Sequence, residues 1–251
     1  MGDTPRTDPP KLSLLVPCYN EEKRVGATAK TVIEFIAESE LDAELILIDD
    51  GSLDGTWTLL EGLRLAHPVV RTVHLEKNRG KGGALAAGVD AARGEYVLFF
   101  DADLSHGTEN IRRALDVLER GADLVIGARD LNDDGDDYPL TRRVTSAVFN
   151  LVIDSLLGLG IPDTQCGFKA FRREVAGALF RTLTVSRFSF DVELLFLAKR
   201  WGHRIERIPI EVEHQEGSTV RVFRDGIQMF GDVVRIAWNA KRGRYPKSAN
   251  R

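Results

Sequence analysis

The chain has 251 residues, 43% of them apolar and 29% charged, with a net charge of −4. That composition suits a soluble globular protein with one large, well-buried α/β domain, and the negative balance excludes a general pull toward nucleic acid. The apolar runs fall short of the roughly 20 residues that a membrane-spanning helix needs, so any membrane contact is expected to be peripheral or made through a partner.

The opening MGDTPRTDPPK is polar and proline-rich and does not read as a signal peptide, so residues 1–10 are expected to form a flexible tail. Apolar runs of strand length then recur at LSLLVP (12–17), ELILID (44–49), VVRTVHL (69–75), EYVLFFD (95–101) and DLVIGA (123–128). Helical patterns separate them at about 21–38, 54–66, 82–92 and 108–119. Near-continuous hydrophobicity in the strands predicts a mostly parallel sheet covered on both faces, and the alternation predicts a doubly wound α/β fold. The second half is less regular. A helix is expected over 140–159, a short strand over 165–172, a helix over 190–201 and an edge strand over 205–214, where Pro209 lacks one ladder amide. A last helix is expected over 222–240, followed by a locally basic tail. Cys18 and Cys166 lie far apart and read as reduced thiols of a cytoplasmic protein.

In such sheets ligands bind beyond the carboxyl ends of the strands. The segments there are PCYNEE, DDGSLDGT, KNRGKGG and DADLSHG, all polar and several acidic or glycine-rich. Asp101 and Asp103 follow a buried strand at i and i+2. They can share one hard divalent cation, Mg2+ or Mn2+, with positions left for diphosphate oxygens, or they can simply cap the next helix. Asp50 can accept hydrogen bonds from a base or ribose, or belong to a turn in which Asp54 caps helix 54–66. Gly80-Lys81-Gly82-Gly83 can present amides and an ammonium to phosphate. Leu85 stands where a dinucleotide fingerprint requires Gly or Ala, and the Gly-Lys-Ser/Thr of a Walker loop is absent. Arg129, Arg142, Arg143 and Lys169 form a cationic set suited to phosphate, or they are solvated side chains. His106 is either a neighbour of the metal or polar surface, and Asp191 opens a helix, where a carboxylate is favourable regardless of function.

In order, VPCYNEE (16–22), IDDGSLDGT (48–56), GKGGAL (80–85) and FFDADLS (99–105) resemble the inverting family 2 glycosyltransferases of GT-A fold, over nearly the whole chain. DTQCGFKAFRR (163–173), FSFDVELLFLAKRWG (188–202) and EGS (216–218) narrow the resemblance to dolichyl-phosphate β-glucosyltransferases, with dolichyl-phosphate mannose synthases the next relatives. Ser105 stands where mannose synthases typically carry a glutamine metal ligand, and the N-terminal anchor of the eukaryotic glucosyl enzymes is not seen.

The resemblance implies a GT-A domain over 11–220, with a C-terminal amphipathic helix and basic tail over 221–251 that can face a membrane. It implies a nucleotide-diphosphate sugar donor, UDP-glucose ahead of GDP-mannose, and a polyprenyl-phosphate acceptor at the cytoplasmic face. Pro17, Tyr19 and Glu21 are expected around base and ribose, Asp50 at the base, and Asp101 near ribose and metal. Asp103 is expected as a direct ligand, and Arg129 and Arg142, with Ser146 closing R-x-x-x-S, at the acceptor phosphate. Lys81 and Lys169 complete the expected substrate contacts, and Asp191 is expected to orient a sugar hydroxyl or, with a hydroxyl acceptor, to act as base. Transfer to a hydroxyl acceptor and a nucleotide-sugar-binding module without turnover are the competing readings.

Overall fold

The computed structural model describes residues 8–131, 140–187, 189–211 and 222–248, with backbone alone at 130, 140–148 and 222–227. The first half alternates as expected: β1 (Leu12–Cys18), α1 (Val25–Glu38), β2 (Ala43–Asp49), α2 (Thr56–Ala66), β3 (Val70–His74), α3 (Lys81–Ala91), β4 (Tyr96–Phe99), α4 (Glu109–Glu119) and β5 (Leu124–Ala128). After a short 3-10 turn at Arg129–Leu131 come α5 (Leu140–Leu157), β6 (Lys169–Arg172), α6 (Arg173–Thr182), α7 (Phe190–Arg200), β7 (Ile205–Pro209) and α8 (Val222–Lys241). Helix α6 (Arg173–Thr182) is not among the elements that the sequence pattern predicts.

The seven strands lie in the order β3-β2-β1-β4-β6-β5-β7. The chain winds outward from β1 to β3, then crosses back through α3 to place β4 on the other side of β1. That reversal is a topological switch point, and it opens a crevice beyond the carboxyl ends of β1 and β4. β6 runs antiparallel between β4 and β5, whereas the other pairings are parallel. Its first residue, Lys169, pairs with Phe99 at the end of β4, so the loop entering β6 is delivered to the same crevice. β7 is an edge strand, as expected, with Pro209 at its end opposite Ala128.

Alternate strand residues feed two cores, because successive side chains point to opposite faces. Leu15, Ile46, Ile48, Val97 and Phe99 join α3, α6, α7 and α8 on one face, and Leu14, Val16, Leu45, Leu47 and Leu98 join α1 and α4 on the other. Both faces being covered accounts for the unbroken apolar runs. Pro10 is already buried, and its carbonyl oxygen accepts the Glu95 N–H at 3.3 Å, so the ordered domain reaches into the expected tail.

α8 buries Val233 and Ile236 in the first core and leaves Phe230, Val234 and Trp238 exposed, one stripe at i, i+4 and i+8. The tail after it is not wholly solvated. Tyr245 is buried, and its hydroxyl donates to Glu193 at 2.5 Å. Glu193, itself fully buried, also accepts from the Thr184 hydroxyl and from the Thr184 and Val185 amides, all within 2.8 Å. Among the described residues no helix is long and apolar enough to cross a membrane.

Candidate active site

The segments after β1 and β2 hook into each other. The Asn20 N–H donates to Ser52 Oγ at 2.9 Å, the Leu53 N–H to Asn20 Oδ1 at 2.8 Å, and the Glu21 N–H to Thr56 Oγ1 at 2.9 Å. Gly55 donates its N–H to Glu22 at 3.1 Å. These bonds explain why α1 starts at Val25 rather than near 21: the residues before it are spent on cross-loop contacts. α2 likewise starts at Thr56 with Gly55 at the capping position. Asp54 is therefore not the N-cap; one of its oxygens takes both the Thr56 N–H at 3.0 Å and the Thr56 hydroxyl at 2.5 Å.

On this ledge Tyr19 is exposed, Pro17 lies in β1 opposite Ile48, and Glu21 holds Arg24 through two bonds of 2.8 and 3.0 Å. Asp50 faces the loop that opens α3, where it accepts the Arg79 N–H at 2.7 Å and the Gly80 N–H at 2.9 Å. Burial raises its pKa against those two donors. Gly80 carries a φ of +80°, and a Cβ there would stand 2.8 Å from the Ser186 carbonyl oxygen. The turn that aims Lys81 at the centre is thus one that only glycine makes easily.

Lys81, the first residue of α3, places its ammonium 2.5 Å from Asp101 Oδ1. Burial works against the Asp101 carboxylate, but the charge and hydrogen bond of Lys81 hold its pKa below the ordinary carboxylate value. The other oxygen of Asp101 lies against Gly167 so closely that a Cβ there would overlap it. Lys169 donates to Asp191 Oδ1 and to the Cys166 carbonyl oxygen, both at 2.6 Å. Burial raises the pKa of Asp191 despite Lys169 and Lys81 nearby. Both ammonium groups lie over the buried Phe99 ring, 5.9 and 5.8 Å from its centroid, within the range of cation–π attraction.

Asp103 is oriented by its own loop, accepting the Ser105 N–H at 3.1 Å, while the Thr28 hydroxyl pins that loop to α1 by donating to the Ala102 carbonyl at 2.6 Å. Ser105 is buried. His106 is not polar surface: it is 4% exposed, its two ring nitrogens have no hydrogen-bond partner among the described residues, and Phe168 meets it edge-on. Burial lowers its pKa against the pull of Asp101 and Asp103. A cavity of about 510 Å³ opens beside this loop, bounded by Lys23, Arg24, Thr31, Asp103, His106 and Glu211.

Arg129 is not simply solvated. Its guanidinium grips Asp163 at 2.7 and 2.8 Å, and its N–H reaches the same carboxylate at 3.1 Å. Burial opposes the Asp163 charge, yet the Arg129 bonds keep its pKa below the usual value. The structure thus gathers Lys81, Asp101, Lys169 and Asp191 in one cluster, with Asp103 on the adjoining loop, and adds two residues that sequence reasoning gave no role, Asp163 and Gly167. The only signal for either was their presence in DTQCGFK. The side chains of Arg142, Arg143 and Ser146, and the EGS at 216–218, lie outside the described residues.

Carboxylate oxygens are the donors that hard divalent ions prefer, and an ammonium already occupies the place of a cation on Asp101. Among the described residues no three His, Cys, Asp or Glu side chains gather in metal-binding geometry. A divalent ion on Asp101 and Asp103 would therefore take its remaining ligands from a substrate or water, as suits Mg2+ or Mn2+. The residues present fit such an ion.

A doubly wound sheet with an acidic pair and lysines at its switch point defines an α/β domain with a charged ligand crevice at its carboxyl edge. The model of glycosyl transferase family 2 matches residues 13–180. This chain belongs to that family, and it is a glycosyltransferase. It is 35% identical over 239 residues to dolichyl-phosphate β-glucosyltransferase of Dictyostelium discoideum, covering 90% of this chain and 73% of that protein. It is 32% identical over 241 residues to the Homo sapiens protein of the same name, covering 90% and 74%. Among solved structures, glucosyl-3-phosphoglycerate synthase of Mycobacterium tuberculosis with UDP superposes with a TM-score of 0.67 at 21% identity, covering 92% of this chain and 79% of that one. The same enzyme with Mn2+, UDP and glucosyl-3-phosphoglycerate gives 0.65 at 22%, covering 94% and 81%. At that identity the superposition speaks for the fold, and it agrees with the GT-A architecture.

Proposed function

We propose that this glycosyltransferase moves a hexose, glucose before mannose, from a nucleoside-diphosphate sugar to polyprenyl phosphate, with inversion and with Mg2+ or Mn2+. The observation that carries the reading is the likeness to dolichyl-phosphate β-glucosyltransferases, 35% identity across 90% of the chain. The structural neighbours hold UDP with Mn2+ or Mg2+, and the acidic pair of this chain stands at the switch point where such a ligand binds.

Inversion requires in-line attack opposite the leaving diphosphate. A phosphate acceptor is already largely ionised near neutral pH, so the site needs cations to hold two anionic substrates more than it needs a base. Asp101 and Asp103 would hold the divalent ion, which supplies neutralisation of charge on the departing nucleoside diphosphate. Lys81, on a flexible stem at the N-terminus of α3, supports the diphosphate. Arg129, held by Asp163 at 2.7 and 2.8 Å, stands just after β5 and would contact the acceptor phosphate, with Arg142 and Ser146 assigned there from the sequence. Asp191, locked by Lys169 at 2.6 Å, orients a sugar hydroxyl rather than removing a proton. Tyr19, Pro17, Glu21 and Asp50 frame the base and ribose. The exposed stripe of α8, with Arg242 against Trp238 at 4.4 Å, rests on an anionic membrane surface where the lipid acceptor resides.

The test is nucleoside-diphosphate release from UDP-glucose and from GDP-mannose, with a short polyprenyl phosphate and Mn2+ or Mg2+, with and without EDTA. Release from UDP-glucose that needs both lipid and metal is expected. Turnover with neither donor, despite nucleotide binding, removes the lipid acceptor and leaves transfer to a hydroxyl.

A further inference from the structure

The two ion pairs around Phe99 differ in what they allow. Lys169 is wholly buried and fixed by two acceptors, Asp191 and the Cys166 carbonyl, so withdrawing it would strand a buried charge. Lys81 is 20% exposed and, among the described residues, makes its ion pair with Asp101 alone. Its stem starts from the first residue of a helix, where the helix dipole also favours an anion.

The charges of Lys81, Asp101, Lys169 and Asp191 cancel, and Asp103 adds one negative charge. A divalent ion on Asp101 and Asp103 overshoots that balance, and it puts a cation on the carboxylate that Lys81 already holds at 2.5 Å. Both cannot keep Asp101 at that distance, because like charges repel most strongly at such short range. An anionic diphosphate arriving with the ion restores the balance and offers the ammonium a new partner.

The geometry points to Lys81 as a resident counter-cation of Asp101: a divalent ion displaces it, and its ammonium then passes to the donor diphosphate. The second half of this exchange rests on the donor proposed above; the first half does not. Ion and nucleotide therefore bind cooperatively, since each removes an obstacle to the other. The ion alone binds weakly because it must evict Lys81, and this device keeps Asp101 paired between turnovers.

The experiment measures Mn2+ binding from the loss of the free-ion EPR signal in the whole chain, without nucleotide and with saturating UDP. K81M, and K81Q as a second variant in case the first folds poorly, should bind Mn2+ about tenfold tighter than wild type without UDP. The extra tightening that UDP brings should shrink in both. R79M removes an equal charge two residues away without touching Asp101 and should change Mn2+ affinity by less than about threefold. Unchanged or weaker Mn2+ binding in K81M and K81Q overturns the exchange, as does an R79M effect of the same size as theirs. If UDP binds neither wild type nor variants, the donor reading fails on its own, and the nucleotide-free Mn2+ comparison still decides whether Lys81 is the counter-cation.

Discussion

Replacing Gly167 by alanine tests the centre through one methyl group. Gly167 does not have the positive φ that favours glycine, so the backbone accepts alanine and the whole effect is steric. The new Cβ would stand 2.8 Å from Asp101 Cγ and overlap Oδ2, closer than side chains tolerate. The carboxylate must rotate away, which misplaces the group that would exchange Lys81 for a divalent ion. A charge-assisted contact of a carboxylate is worth about 1.5–3 kcal/mol, which corresponds to roughly 10- to 150-fold in an equilibrium constant. Overpacking itself costs the fold about 1–3 kcal/mol, within the stability of an ordinary domain. G167A is thus expected to remain folded, with a modestly lower Tm, while kcat/KM for the donor falls by about two orders of magnitude and the Mn2+ needed for half-maximal rate rises. The assay is nucleoside-diphosphate release across a Mn2+ titration, with circular dichroism to confirm folding. A folded G167A with wild-type rate and wild-type Mn2+ requirement would refute the claim that Asp101 is held between Lys81 and Gly167 for a purpose.

Three further outcomes are expected. D191N should slow transfer to polyprenyl phosphate by roughly 10- to 100-fold with the shape of the pH–rate profile unchanged; loss of the acidic limb would make Asp191 a base, a role worth about 10²–10⁴-fold. The Tyr245 phenol is pushed up to about 12 by burial and by Glu193, against about 10 in an unfolded chain. Between those values the native state keeps a proton that the unfolded chain gives up, so stability is whole below pH about 10 and falls by up to a few kcal/mol as pH rises through that window. Urea midpoints at pH 9 and pH 11 should show this slope in wild type and a shallower one in Y245F; parallel slopes would take the titration away from Tyr245. For the membrane face, truncation of α8 is unsuitable because Val233 and Ile236 are core residues. Changing Phe230, Val234 and Trp238 together to serine removes only the exposed stripe, and it should weaken co-sedimentation with anionic phospholipid vesicles by about tenfold or more. Equal binding would discard α8 as the membrane contact.

The amino-acid sequence by itself determined the alternating first half, the two-faced sheet and the four polar segments at its carboxyl edge. Those features are local: a strand buried on both faces must be apolar throughout, and chemistry-bearing loops follow strands directly. It also named Asp101, Asp103, Lys81, Lys169 and Asp191, each from residue type and place. What it did not contain was their pairing. That Lys169 neutralises Asp191 depends on β6 running antiparallel between β4 and β5, and that Lys81 neutralises Asp101 depends on α3 opening beside the end of β4, placements set by long-range packing that no short pattern encodes. The same reversal brings Gly167 against Asp101 and Asp163 against Arg129. His106 reads as surface until Phe168 and the 101–106 loop enclose it, and Asp54 reads as a cap until α2 starts two residues later. Ion pairs and burial are properties of the assembled sheet, so only the tertiary structure could decide which charges are held, which are free to move, and which glycine had to remain small.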